Sequence, residues 1–191
     1  MGISRDETVN KMHVALESLF EEFDQDLDRD GLRDTPKRVV KAFREMLSGY
    51  DQSPGEILER QFVCEYDEII VLKDIAFTSL CEHHLLPFIG EVSIAYLPGL
   101  NNKVVGLSKL ARLVDCFSKR LQIQERMTVD IAEAMERHLQ PLGTAVVVRA
   151  HHSCMSCRGV RKPGSVMITS KMNGVFRNED SARAEVLKLI G

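Results

Sequence analysis

Cys81 and His84 stand three apart in the stretch Cys81-Glu82-His83-His84-Leu85-Leu86-Pro87, a separation that lets a thiolate and an imidazole reach one Zn2+. Cys154, far along the chain, is a candidate third ligand, and Cys157 follows it by three residues. Two outcomes stay open. Four protein donors, Cys3His, close a zinc site into a structural staple, whereas three donors plus water make a catalytic one. A buried free thiol and a surface imidazole account for either residue taken singly. If Cys154 binds the metal, strand alternation brings His152 to the same side and turns His151 away. An imidazole beside a water-bearing zinc is equipped for acid–base work. His83, next to His84, is a further candidate for proton transfer.

Three other stretches carry charge where a ligand could use it. Gly106-Leu107-Ser108-Lys109-Leu110-Ala111-Arg112 opens a predicted helix with a hydroxyl and two cations, and the free backbone N–H groups of a helix start attract an anion such as phosphate. Lys109 and Arg112 share a face; cations there oppose the helix dipole unless an anion offsets them. Gln124-Glu125-Arg126 precedes another helix, a place where a carboxylate is favourable in its own right. The functional alternative is one carboxylate accepting from the ring N–H and exocyclic amine of a purine. Arg158-Gly159-Val160-Arg161-Lys162 adds positive charge beside the metal loop.

The elements that must hold these residues follow from periodicity. From Glu7 to about Phe23, Val9, Met12, Leu16, Leu19, Phe20 and Phe23 recur at helical steps. Asp34-Thr35-Pro36 offers a cap and a first-turn proline for a second helix running to about Leu47. These helices form an N-terminal appendage, residues 1–60, ahead of a main domain at 61–191. Strands are predicted over Glu68 to Ser79 and Phe88 to Leu97, with the Cys81–Pro87 loop between them. Ser108 to about Leu121 and Glu125 to about Leu139 have helical spacing. Thr144 to Ala150 and Ser165 to Ser170 read as strands around the second cysteine loop, and Asp180 to Ile190 as a closing helix. Helices and hairpins in this order argue for an α+β fold with an antiparallel sheet, since a parallel one needs helices between successive strands.

Length and composition bound the rest. A chain of 191 residues is one domain with a small addition, and 44% hydrophobic with 28% charged residues is ordinary for a globular protein. No apolar run approaches the roughly 18 residues that cross a bilayer, so no membrane and a cytoplasmic location are expected. The formal charge of -3 is too acidic for a general nucleic-acid binder. It is uneven, however: residues 1–60 hold 9 basic and 14 acidic groups, residues 151–191 hold 7 and 3, so an anion should favour the C-terminal part. Five cysteines, an odd count with no secretory signal, disfavour a disulfide framework and favour metal or catalytic thiols.

Taken together, Ser79 through Phe88, Gly106-Leu107-Ser108-Lys109, Gln124-Glu125-Arg126, and His152-Ser153-Cys154 through Arg158-Gly159 closely resemble the GTP cyclohydrolase I family in order and spacing. The resemblance runs from about Asp34 to the last helix. It implies the tunnelling fold, an antiparallel sheet with helices packed on one side, and a homodecamer of two pentameric rings with sites between subunits. It also implies a hydrolase acting on carbon–nitrogen bonds in cyclic amidines, which turns GTP and water into formate and 7,8-dihydroneopterin triphosphate, the first step of pterin and tetrahydrofolate biosynthesis and so of one-carbon metabolism.

By position, the resemblance gives Cys81, His84 and Cys154 to Zn2+, with water completing the site. His152 then protonates the purine, His83 and Ser108 serve the ribose rearrangement, Gln124 and Glu125 anchor guanine, and Lys109, Arg112 and Arg158 grip the triphosphate. No redox cofactor is implied. Cys157 departs from the family pattern and keeps the closed Cys3His site as an alternative. Two other readings stand beside this one. In the first, a zinc-stapled module binds a polyanionic partner through its basic tail. The second is a tunnelling-fold nitrile reductase using a cysteine nucleophile and NADPH, against which the ligand set counts.

Overall fold

The computed structural model describes residues 4–23, 25–26 and 28–191. The chain divides into two compact units, the first ending at Leu47 and the second spanning Ser48–Gly191. In the first, helix α1 (Arg5–Glu21) starts where the Ser4 hydroxyl accepts from the Glu7 N–H at 3.1 Å, with Asp6 and Glu7 favourably placed at the positive end of the dipole. Helix α2 (Thr35–Met46) has its proline in the first turn. Asp34 does not cap it by its side chain; the carboxylate instead takes Arg38 at 3.4 Å.

The second unit begins with a 3-10 turn (Ser48–Asp51) and α3 (Pro54–Leu58), then β1 (Gln61–Val63), β2 (Ile70–Cys81), β3 (Pro87–Leu97), β4 (Lys103–Val105), α4 (Leu107–Ser118), β5 (Leu121–Gln122), α5 (Gln124–Leu139), β6 (Gly143–His152), α6 (Ser153–Ser156), β7 (Met167–Gly174), α7 (Val175–Asn178) and α8 (Asp180–Ile190). The units part earlier than the expected 60/61 boundary. The Gly49 N–H donates to Lys119 O at 2.9 Å, the Arg120 guanidinium donates to Gly49 O and Gln52 O at 3.1 and 3.3 Å, and Leu58 is wholly buried in the core. Those bonds tie residues 48–58 to α4 and the main core.

The main sheet runs β5-β2-β3-β6-β7, and β1 pairs with β4 in a separate two-stranded sheet. Three of its four pairings are antiparallel, but β5 lies parallel to β2 through Leu80↔Leu121 and Cys81↔Gln122. The sheet is therefore mixed, not purely antiparallel as the sequence suggested. Two residues are too short a run to leave a strand signature.

Alternation along the central strands sends their side chains to two cores. Ile94 and Tyr96 of β3 and Val146 and Val148 of β6 meet α4 and α5, whose Leu113 and Ile131 are fully buried. Ala95, Ala145 and Val147 face the other way, onto Phe176, Val186 and Ile190. The closing helix α8 thus covers the opposite face, correcting the expectation of helices on one side only.

The β3–β6 register pairs Phe88 with His152 and Gly90 with Ala150. A Cβ at Gly90 would lie 1.9 Å from Arg149 O and 2.6 Å from the Ala150 Cα, so the two backbones can approach only at a glycine. Gly90→Ala should lower stability by roughly 3 kcal/mol through strain between two central strands, measured as a reduced urea midpoint. An unchanged midpoint would show that the strands shift without cost.

Candidate active site

The turn between β2 and β3 folds back on Cys81. The Leu85 and His84 N–H groups donate to Cys81 O at 2.8 and 3.3 Å, the Cys81 N–H donates to Leu86 O at 2.9 Å, and Leu85 takes φ +54°. This compact turn swings the His84 ring back, leaving Cys81 Sγ 3.9 Å from His84 Nδ1. Glu82 pins the turn from outside by an ion pair to Arg126 of α5, which also donates to Leu121 O and Gln122 Oε1. That hydrogen bond holds the Glu82 carboxyl below its ordinary range.

The third donor arrives through β6. Its register with β3 carries His152 beside Phe88, and α6 begins at the next residue with Cys154 in its first turn. Cys81 Sγ, His84 Nδ1 or Nε2 and Cys154 Sγ all lie within 4.8 Å of one another. Donors arranged tetrahedrally at zinc distances of about 2.0–2.3 Å are roughly 3.5–3.8 Å apart, so the group fits a soft divalent ion with small adjustments. Burial, and then the neighbouring Cys81 sulfur, pushes the Cys154 thiol up, while Arg158 acts in the opposite sense. Two adjacent sulfurs resist joint ionisation in this way until a cation offsets their charge.

Cys157 stands apart. It is exposed, and its thiol donates to Ser153 O at 2.9 Å; the metal-competent group among the described residues consists of Cys81, His84 and Cys154. A short helix accounts for this, because its last turn directs Cys157 back along the helix axis to a carbonyl.

Around these donors the expected residues separate into those brought close and those held elsewhere. His83 Nδ1 is 3.9 Å from Cys81 Sγ, and its ring meets that of His84 edge-on at 6.2 Å. The half-buried His152 ring stacks flat on Phe88, with centroids 4.6 Å apart and planes 2° apart. Burial lowers its pKa, opposed by the carboxylate of the exposed Glu125. Ser108, Lys109 and Arg112 occupy the first turns of α4, and the side chains of Lys109 and Arg112 form no hydrogen bond or ion pair among the described residues. Arg158 is exposed just past α6.

Gln124, at the start of α5, lies in the interior. Its side chain, expected to meet guanine, is only 1% exposed. The amide nitrogen lies 3.1 Å from Val148 O, Met167 O and Thr169 Oγ1, and its oxygen is 2.8 Å from His152 Nε2. Sequence reading also missed Phe88 and Thr169. The first meets His152 through the β3–β6 pairing, which joins strands far apart in the chain, and a threonine on a strand gives no local signal.

Two thiols and an imidazole poised for a metal, beside a second imidazole anchored in an α+β domain, have the make-up of a metal-dependent enzyme. The family model described as GTP cyclohydrolase I matches residues 12–191. Over 181 residues the chain is 49% identical to GTP cyclohydrolase 1 of Carboxydothermus hydrogenoformans, covering 95% of this chain and 94% of that one. It is 51% identical to that of Methylococcus capsulatus (94% and 99% covered) and 48% identical to that of Bacillus subtilis (95% and 96%). The chain belongs to the GTP cyclohydrolase I family, and it is an enzyme. No helix among the described residues is long and apolar enough to cross a membrane.

Proposed function

We propose that this chain is a zinc-dependent GTP cyclohydrolase I that converts GTP and one net water into formate and 7,8-dihydroneopterin triphosphate, the first step of pterin and folate synthesis. The observation that carries this reading is the Cys81–His84–Cys154 group, with Cys157 outside it and His152 beside it. Three donors rather than four are the pattern of a catalytic zinc. When bound there, Zn2+ supplies Lewis acidity and brings the pKa of a water towards about 7.

The chain's own residues then divide the work. His152, with its pKa lowered by burial, delivers a proton to the imidazole ring of guanine as that ring opens. Glu125, at the solvent end of α5, accepts from the ring N–H and exocyclic amine of the base. The unpaired cations Lys109 and Arg112, at a helix start where only an anion makes them favourable, hold the triphosphate together with Arg158. His83 and Ser108 move protons during the ribose rearrangement. The tunnelling fold, a cytoplasmic location and a decamer with sites between subunits belong to the same reading.

Incubating the zinc-loaded protein with GTP should yield formate and, after oxidation, a fluorescent pterin; metal-loaded protein without turnover would reject the reading. Glu125→Gln should raise KM for GTP by about 10–100-fold, because a charge-assisted pair of hydrogen bonds is weakened. An unchanged KM would remove Glu125 from the base site.

A further inference from the structure

We propose that Gln124 is a positioning residue, not a guanine ligand: it holds His152 as the Nε2–H tautomer, so that Nδ1 is the nitrogen through which His152 exchanges protons. The argument is one of donors and acceptors. Val148 O and Met167 O are backbone carbonyls and can only accept, so the Gln124 atom 3.1 Å from both must be the amide nitrogen. Its other terminal atom, 2.8 Å from His152 Nε2, is then the oxygen, which cannot donate. His152 Nε2 must carry the hydrogen.

The assignment extends outward, with the two amide hydrogens shared among three acceptors, Val148 O, Met167 O and Thr169 Oγ1. The Thr128 hydroxyl lies 2.7 Å from Gln124 O, an acceptor, and therefore donates to it. Thr169 Oγ1, 2.7 Å from Thr128 Oγ1, donates in turn to that oxygen and uses its lone pair for the Gln124 amide at 3.1 Å. Gln124 and Thr128 are each 1% exposed, and rotating the amide by 180° would set its oxygen against two carbonyl oxygens. The orientation is fixed by backbone on two strands, β6 and β7. On its faces the His152 ring is further held by the flat stack on Phe88.

With Nε2–H committed to Gln124, a proton reaches His152 on Nδ1, the ring becomes an imidazolium, and the same proton leaves from Nδ1 to the substrate nitrogen. Among the described residues no protein group bonds Nδ1. The kinetic part of this inference rests on the proposed cyclohydrolase activity; the tautomer does not.

Solid-state 15N spectra of histidine-labelled, zinc-loaded protein would decide the tautomer. The His152 signals are identified by difference from His152→Ala, at one pH about two units above the ordinary imidazole pKa. A protonated Nε2 is expected, and an unprotonated Nε2 overturns the proposal. Kinetically, Gln124→Leu should lower kcat about 10–100-fold with KM for GTP little changed, and should cost nothing more in a His152→Ala background. A raised KM with kcat retained, or losses that simply add, would overturn it by making Gln124 a base contact. Should Gln124→Leu fail to fold, Thr169→Val serves. It should lower kcat about 10-fold, and Thr169→Ser should restore it; a Thr169→Val enzyme with normal kcat overturns the positioning chain. If the wild-type protein does not turn over GTP at all, the proposed function fails while the 15N result still judges the tautomer.

Discussion

Cys154→Ser should leave the purified protein without stoichiometric zinc and reduce GTP turnover by at least about 10³-fold. The sulfur is one of three donors that converge within 4.8 Å; an alcohol oxygen is a far poorer ligand, and two donors do not retain the ion. Without the metal, water is far too weak an acid to supply much nucleophile at neutral pH. Atomic absorption and formate release measure the two effects separately. Helical circular dichroism should stay near wild type, since Cys154 lies at the edge of the main core. Cys157→Ser is the matched control. Its thiol serves only Ser153 O on an exposed turn, so zinc content and turnover should match wild type. Loss of zinc in Cys157→Ser would restore the closed four-donor site and remove the catalytic reading of the metal.

His152→Ala should keep zinc yet lose ring opening by roughly 10²–10⁴-fold, the usual contribution of a general acid–base group. The two properties separate because His152 lies outside the three-donor group, at the last residue of β6, two residues before Cys154 in the first turn of α6. The variant also removes the Phe88 stack and one Gln124 contact, so its thermal stability should be recorded beside its kinetics. Turnover equal to wild type at full zinc occupancy would take the proton-transfer role from His152. Equal losses of zinc and activity would instead make it a support for the metal site.

Much of the α+β order was legible because local rules govern it. The closing helix begins and ends at Asp180 and Ile190 as its pattern indicates, and the long strands and helices around the two cysteine loops lie within a few residues of expectation. Helix periodicity and strand alternation are properties of neighbours in the chain. The parallel strand β5 and the domain boundary were not legible. One is two residues long, and the other depends on Arg120 reaching back to Gly49 and Gln52 across nearly seventy residues. The face covered by α8 escaped for a similar reason, since an amphipathic helix shows that it has an apolar side but not which sheet surface will receive it.

At the site, residue type and spacing determined which side chains have metal and proton chemistry to offer: a Cys-x-x-His turn, a distant Cys-x-x-Cys and a histidine two residues before it. Spacing could not choose between Cys154 with Cys157 and Cys154 alone, because both lie within reach of one ion along the chain. Packing chose. The turn of α6 gives the Cys157 thiol a carbonyl of its own, while the β3–β6 register delivers Cys154 to the turn that holds Cys81 and His84. Gln124 shows the same division from the other side: the family resemblance implied a contact with guanine, and only the convergence of β6 and β7 on its amide shows where its hydrogen bonds go. Covalent neighbours set what a side chain can do; which partner it meets is decided by strands that are close in space and far apart in sequence.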